Sequence, residues 1–387
     1  MLIKKHLLIF LCISLYSVSL VAQTYSGYVR VGSSTGIFQH DVTDSDAKFL
    51  GNNIIFNNIL TFPEFVVGAQ AKVKIPTSTV TGGADTYKEV GASASWEKAY
   101  MGWNLPFYRP LRLWMGHAIP LYLPGSYLTQ LDIISAGARW AKDGVALQYR
   151  GDIISGGVSV TASTTAYAFF DDFQAGSNLQ CNLKAYDIPL QIGATLSFKN
   201  SYDDERSVSW RDWTSAIFGQ YKPKFASDSV LKSLTLTAGY CINGAPVPTN
   251  ATFKYVELYN TKKNAPELQH SHVVTVNTTI KISRITVDEE AEVAKSFDGG
   301  YYSLYSTVRV SVPVADWLKL QPTVQYFAVT NGNDSTRNRD SLTLFPRIVL
   351  ENGPHQLMLG TKIEHRQMDA DNYHWILKFP AYYRYTL

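Results

Sequence analysis

The chain reads as an all-β protein, a transmembrane antiparallel β-barrel of about 16–18 strands. Three observations carry that prediction: an export signal at the N-terminus, two-residue alternation along most later segments, and an aromatic alternating strand that ends the chain. Composition agrees. Of 387 residues 45% are hydrophobic and 17% charged, at a mean hydropathy of −0.09. A soluble domain carries about 25% charged residues. With 24 Tyr, 18 Phe and 8 Trp the chain is too rich in large side chains to stay disordered. A helical membrane bundle needs apolar runs of about 20 residues, and only the N-terminus approaches one.

That N-terminal run is the first element. Lys4 and Lys5 precede an apolar stretch from Leu7 to Ala22 that ends in small residues before Gln23. A positive n-region, a short apolar h-region and a small residue at the break spell a secretory signal peptide. Residues 1–22 are therefore assigned to the signal, with cleavage after Ala22, and residues 23–387 to the barrel. Cys12 lies in the signal without a lipobox around it. Cys181 and Cys241 remain after cleavage, and their surroundings do not mark them as a pair. The formal charge is only +3 and falls when Lys4 and Lys5 leave, so no basic field remains for nucleic acid.

Alternation organises the rest. Phe65, Val67, Ala69, Ala71, Val73 and Ile75 oppose Val66, Gly68, Gln70, Lys72 and Lys74. The same rhythm runs through 190–199, 302–312, 318–326 and 357–364. Such strands have one greasy and one wet side. Tight breaks fall at 142–144, 187–189, 313–316 and 351–354, where Gly, Pro, Asn or Asp supply turn chemistry. Longer acid-containing segments, expected as loops, fall at 39–53, 200–209, 287–299, 331–340 and 366–372. Short connections at one end and long ones at the other suit a membrane barrel. About 19 strand candidates emerge, one off an even count; the doubtful ones are 54–62, 144–150 and 252–260. A barrel of about 16 strands leaves an aqueous channel, whereas about eight would be filled by side chains.

The last strand alternates Phe379, Ala381, Tyr383, Tyr385 and Leu387 up to the terminus. It resembles the C-terminal insertion signal of bacterial outer-membrane proteins, although many of those end in Phe. Aromatic clusters at Trp96-Tyr100-Trp103, Phe107-Tyr108, Trp210-Trp213, Tyr301-Tyr302 and Tyr382-Tyr383 suit the two membrane interfaces. The start, Tyr25 to Gly32, resembles the first barrel strand of porins, and Leu111 to His117 resembles the strand that leads into an inward-folded loop. On these grounds the chain resembles a Gram-negative or spirochaete outer-membrane porin along its whole mature length. The resemblance implies an outer-membrane location and an open channel for small hydrophilic solutes. Its partners would be membrane lipid, lipopolysaccharide and the outer-membrane assembly machinery. Homotrimers are common in that family, but no residue here marks a trimer contact.

If apolar positions face lipid, then Arg30, Lys72, Lys74, Arg112, Lys184, Lys199, Arg309 and Lys319 line the pore or its mouths. Basic rings favour anions, so a mild anion preference is expected. The plainer alternative is that these charges keep the lumen wet and pair with loop acids. The segment 118–131 is too apolar and Pro-rich for a free loop. It is expected to fold inward and narrow the channel through Pro120, Tyr122, Pro124 and Tyr127, the alternative being packing on the rim.

Enzyme chemistry is not expected. Ser271 and His272 are adjacent on a strand and point to opposite faces, and no G-x-S-x-G, H-E-x-x-H or C-x-x-C occurs. No cofactor and no metal are required; His365 and His374, with Asp369 and Asp371 between them, read as a solvated loop. The rival readings are an adhesin displaying 76–94 and 243–270, a plugged transporter of apolar molecules, and a secreted soluble β-protein.

Overall fold

Alternating residues become strands because each backbone must find a partner, and in a bilayer only a closed sheet leaves none unpaired. The computed structural model describes residues 24–39, 45–75, 93–117, 119, 143–162, 173–199, 213–243, 271–296, 301–331, 338–369 and 372–387. They form one antiparallel sheet. The strands are β1 (Thr24–Gln39), β2 (Ser45–Thr61), β3 (Phe65–Ile75), β4 (Ser93–Asn104), β5 (Leu111–His117) and β6 (Asp143–Arg150). Next come β7 (Ile154–Ala162), β8 (Phe173–Asn182), β9 (Leu190–Lys199), β10 (Trp213–Tyr221), β11 (Leu231–Asn243) and β12 (Ser271–Ile282). Strands β13 (Ile285–Ser296) and β14 (Tyr301–Ala315) precede three interrupted ones. These are β15 (Leu318–Leu320 with Thr323–Asn331), β16 (Arg339–Phe345 with Arg347–Asn352) and β17 (His355–Gly360 with Lys362–Asp369). Strand β18 (Asn372–Thr386) closes the barrel on β1, from Tyr28 opposite Thr386 to Phe38 opposite Ile376.

Eighteen strands satisfy the even count, with both described chain ends at the same rim. Of the doubtful segments, 54–62 belongs mostly to β2 and 144–150 to β6, while 252–260 lies outside the described residues. Four other expectations are corrected. The segment 39–53 is largely the paired ends of β1 and β2. The segment 287–299 is mostly β13, and 366–372 mostly the hairpin ends of β17 and β18. Asp143 and Gly144 do not turn but pair with His117 and Gly116 inside the sheet. In each case a paired backbone outweighed the turn propensity of Asp, Asn and Gly.

The tight turns gather at the rim that holds the termini. There Gly353 takes a left-handed φ of 57° and Asp187 one of 60°, the latter ending a 3-10 turn over Leu183–Tyr186. The outer wall is apolar: Val158, Leu179, Ile217, Val274, Val293, Leu304 and Trp375 are all exposed. The terminal strand turns Phe379, Tyr383 and Tyr385 outward as its alternation requires. Only contact with acyl chains would relieve that exposure, at about 25 cal/mol per Å². Cys181 is a free thiol on this wall, opposite Ile154 and Ile192.

Across β15, β16 and β17 the interruptions lie side by side. Pro322 and Pro346 donate no hydrogen bond, so the ladder resumes through their carbonyls: Val310 donates to Pro322 at 3.0 Å and Thr361 to Pro346 at 3.1 Å.

Candidate functional site: the lumen wall

Turning the apolar face outward turns the polar face of every strand inward. On β12 to β16 the inward positions include Asn277, Glu290, Arg309, Gln325 and Arg347, which line a recess of about 520 Å³. Arg309 donates twice to Asp288 Oδ2, at 2.7 and 3.0 Å, while Thr279 donates to Asp288 Oδ1 at 2.9 Å. On β17, Arg366 donates to Glu364 Oε1 at 2.6 and 2.8 Å, with Lys362 3.6 Å from the other carboxylate oxygen. Lys319 bonds Glu351, which also accepts from Gln356 at 2.9 Å.

Elsewhere the cations face each other. Arg30 and Arg384 are direct cross-strand partners at the closure of the barrel, and Lys362 and Lys378 are partners one hairpin along. The guanidinium of Arg30 lies 5.8 Å from the Tyr382 ring, and that of Arg384 lies 4.4 Å from Tyr28. Near the turn between β4 and β5, Arg112 and Arg150 share one neutral acceptor, Asn104 Oδ1, each at 2.8 Å. Like charges placed opposite one another destabilise a sheet. Lys362 is matched in part by Glu364, whereas the tyrosine rings beside Arg30 and Arg384 and the amide shared by Arg112 and Arg150 do not neutralise their guanidinium groups.

Across the lumen from the recess, rings replace charges. Tyr100 packs over Gly68 and Trp114 over Gly102, each ring occupying the space a Cβ would need. The two rings meet edge to face at 5.7 Å, and Trp114 donates to Gln148 at 2.9 Å. Ile119, just past β5, is buried against Tyr100, Trp114 and Ala146. Gly116, with φ of 122° and the Ala99 carbonyl oxygen crowding the place a Cβ would take, is a position only glycine fits.

Of the residues anticipated at the pore, Arg30, Lys72, Lys74, Arg112, Arg309 and Lys319 sit at inward strand positions. Lys184 lies instead in the 3-10 turn at the mouth, where it, Lys222, Lys224 and Asp187 border a recess of about 380 Å³. There burial, and then the charge of Lys184, pushes the Lys222 ammonium below the usual lysine range. Lys199, at the end of β9, pairs with Gln174 of β8, and its side chain lies outside the described residues, as do Pro120, Tyr122, Pro124 and Tyr127.

The expectation that acids keep to loops is corrected. Asp288, Glu290 and Glu292 alternate inward along β13. The alternation of Val287, Ala291 and Val293 between them was the missed signal. His365 and His374 point to opposite faces: His365 stacks outward on Tyr373 at 4.7 Å, whereas His374 faces the side of Arg366.

Solved structures share this fold. OccAB4 of Acinetobacter baumannii superposes with a TM-score of 0.57 at 9% identity, over 95% of this chain and 98% of that one. OccK7 (OpdD) of Pseudomonas aeruginosa gives 0.58 at 9%, over 94% and 99%. The outer membrane protein opdK of the same species gives 0.54 at 10%, over 95% and 100%. The chain has the fold of an outer-membrane porin. At such identities the likeness is one of fold, and no family profile and no curated protein matches the sequence. The exposed apolar wall and the shared fold are those of a barrel that spans a membrane.

Proposed function

We propose that this porin is a passive channel for small hydrophilic solutes with a preference for anions. The observation that supports the preference is the pairing of Arg30 with Arg384 across the strands that close the barrel. A sheet tolerates such repulsion where a passing anion relieves it. Carboxylates are present, but Asp288 is held by Arg309 and Glu364 by Arg366, so much of their charge is already matched.

The inward residues Arg30, Lys72, Lys74, Arg112, Arg309 and Lys319 form the wall of this path, with Lys184 at its mouth and Lys199 on β9. The segment 118–131 narrows it. Ile119, buried among lumenal rings, supports that inward course, and Pro120, Tyr122, Pro124 and Tyr127 follow it in sequence. Residues 1–22 serve as the export signal. The porin performs no covalent chemistry.

Reversal potentials in planar bilayers across a salt gradient test the preference. An anion-selective sign is expected, moving toward cations in R30Q/R384Q. A cation-selective channel, or a double variant with unchanged potential, refutes it. Deleting 119–128 should raise single-channel conductance, and unchanged conductance would sink the constriction.

A further inference from the structure

The outer wall carries an arrangement that transport does not use. Four residues form a row across β11, β12, β13 and β14: Tyr240, His272, Lys295 and Tyr302. His272 pairs with Lys295, and Lys295 with Tyr302, across adjacent strands; Ile242 pairs with His272, with Tyr240 two positions away on the same face. Their neighbours Val273, Ala294 and Ser303 are buried on the inward side, so alternation turns the row outward, in line with the exposed Val274, Val293 and Leu304.

The row is ordered by its own contacts. The Tyr240 hydroxyl lies 2.6 Å from His272 Nδ1, and the rings stack at 6.1 Å with 19° between their planes. Lys295 Nζ lies 5.3 Å from the centre of the Tyr302 ring, and among the described residues this is the ammonium's contact. The level is equally defined. The row lies where β11 and β12 approach the segment 244–270, at the rim opposite the tight turns, one step beyond the apolar belt. Long connections mark the external rim of such barrels, so this is the height of the outer-leaflet headgroups.

At the other rim, three cations near the turns have partners within the chain. Arg284 pairs with Asp316 at 2.7 Å, Lys224 with Asp187 at 3.6 Å, and Lys232 donates to the Ser227 carbonyl at 2.8 Å. An ammonium exposed at the edge of an apolar wall, beside a fixed imidazole, complements an anion that is itself anchored in the leaflet. We propose that Lys295 and His272 bind a phosphate of an anionic outer-leaflet glycolipid, with Tyr240 orienting His272 and Tyr302 supporting Lys295. The site tethers the barrel to its lipid and stands apart from conduction.

The test uses folded barrel in neutral detergent, with native mass spectrometry counting bound lipid. The probes are diphosphoryl lipid A, its dephosphorylated counterpart with the same acyl chains, and inorganic phosphate. Diphosphoryl lipid A should be retained, and K295Q should weaken it about fivefold, the value of one basic side chain at an anionic surface. K295R should bind as the wild type does, and H272A should lose affinity while its heat-dependent gel shift shows an intact barrel. Equal retention of the dephosphorylated lipid, or unchanged binding by K295Q, overturns the proposal. Displacement by equimolar inorganic phosphate also overturns it, since the site would then belong to a soluble anion. Conductance of K295Q in phosphatidylcholine should match the wild type, so a failed channel reading and a failed lipid site give different results.

Discussion

Asp288 is the lumenal acid whose removal says most about selectivity. It accepts two hydrogen bonds from Arg309, whose side chain is 35% exposed, against 25% for the carboxylate. D288N would leave Arg309 as a net positive charge on the wall of the 520 Å³ recess. An anion passing about 5 Å away then gains about 0.8 kcal/mol in a water-like medium, or about 3 kcal/mol at an effective dielectric of 20. The recess is wet, so the lower figure governs, and it corresponds to about a fourfold local enrichment of anions at RT of about 0.59 kcal/mol. The fold should survive, because an ion pair this open to the wet lumen contributes about 1 kcal/mol and the amide oxygen that D288N introduces would still accept from Arg309. The assay is the reversal potential in a tenfold KCl gradient, repeated at about 0.1 M and about 1 M salt, where the screening length falls from about 10 Å to about 3 Å. D288N should move selectivity toward anions at low salt, most of the shift vanishing at high salt, and R309Q should move it the other way. Equal shifts at both salt levels, or a D288N shift toward cations, would refute the electrostatic reasoning.

Three further outcomes can be checked. G102V puts methyl groups where the Trp114 ring lies 2.5 Å from an added Cβ, so it should destabilise the barrel by about 1–3 kcal/mol, read as a lower urea midpoint. N104D gives Arg112 and Arg150 a charged acceptor in place of a shared amide, so it should reduce anion selectivity while leaving the gel shift intact. Lys222 has its ammonium depressed by burial and by Lys184, so the unfolded chain holds that proton to higher pH than the fold does. Stability should therefore rise as pH climbs from the depressed value toward the ordinary lysine range, a rise that K222Q abolishes and K184Q reduces.

The barrel was legible because period two is a geometric necessity of a one-sided strand. Phe65 to Val73, Tyr302 to Val312 and Phe379 to Tyr385 all face as their alternation required. The charged wall was half legible. Arg30 and Arg309 stand out among apolar neighbours, whereas Asp288, Glu290 and Glu292 were obscured by Glu289, which breaks the rhythm by pairing outward with Thr278 and Val308. Opposed pairs such as Arg30 with Arg384 were invisible, because they join the two ends of the chain and depend on closure. The inward aromatics were hidden by a different cause. Tyr100 and Trp114 look like interface residues in sequence, and only the glycines on neighbouring strands show that they lie over the lumenal backbone.

The aligned interruptions at Pro322 and Pro346 matter for how the wall finds its alignment. A strand with a full set of amide donors can slide two residues and bond equally well, whereas a proline fits only where no donor is required. The adjoining breaks in β15, β16 and β17 thus act as notches, and a slipped pairing would set a missing donor against a waiting carbonyl. The closing third of the chain carries its own alignment marks, so the final hairpins can settle into one arrangement before Tyr28 meets Thr386 and the cylinder shuts.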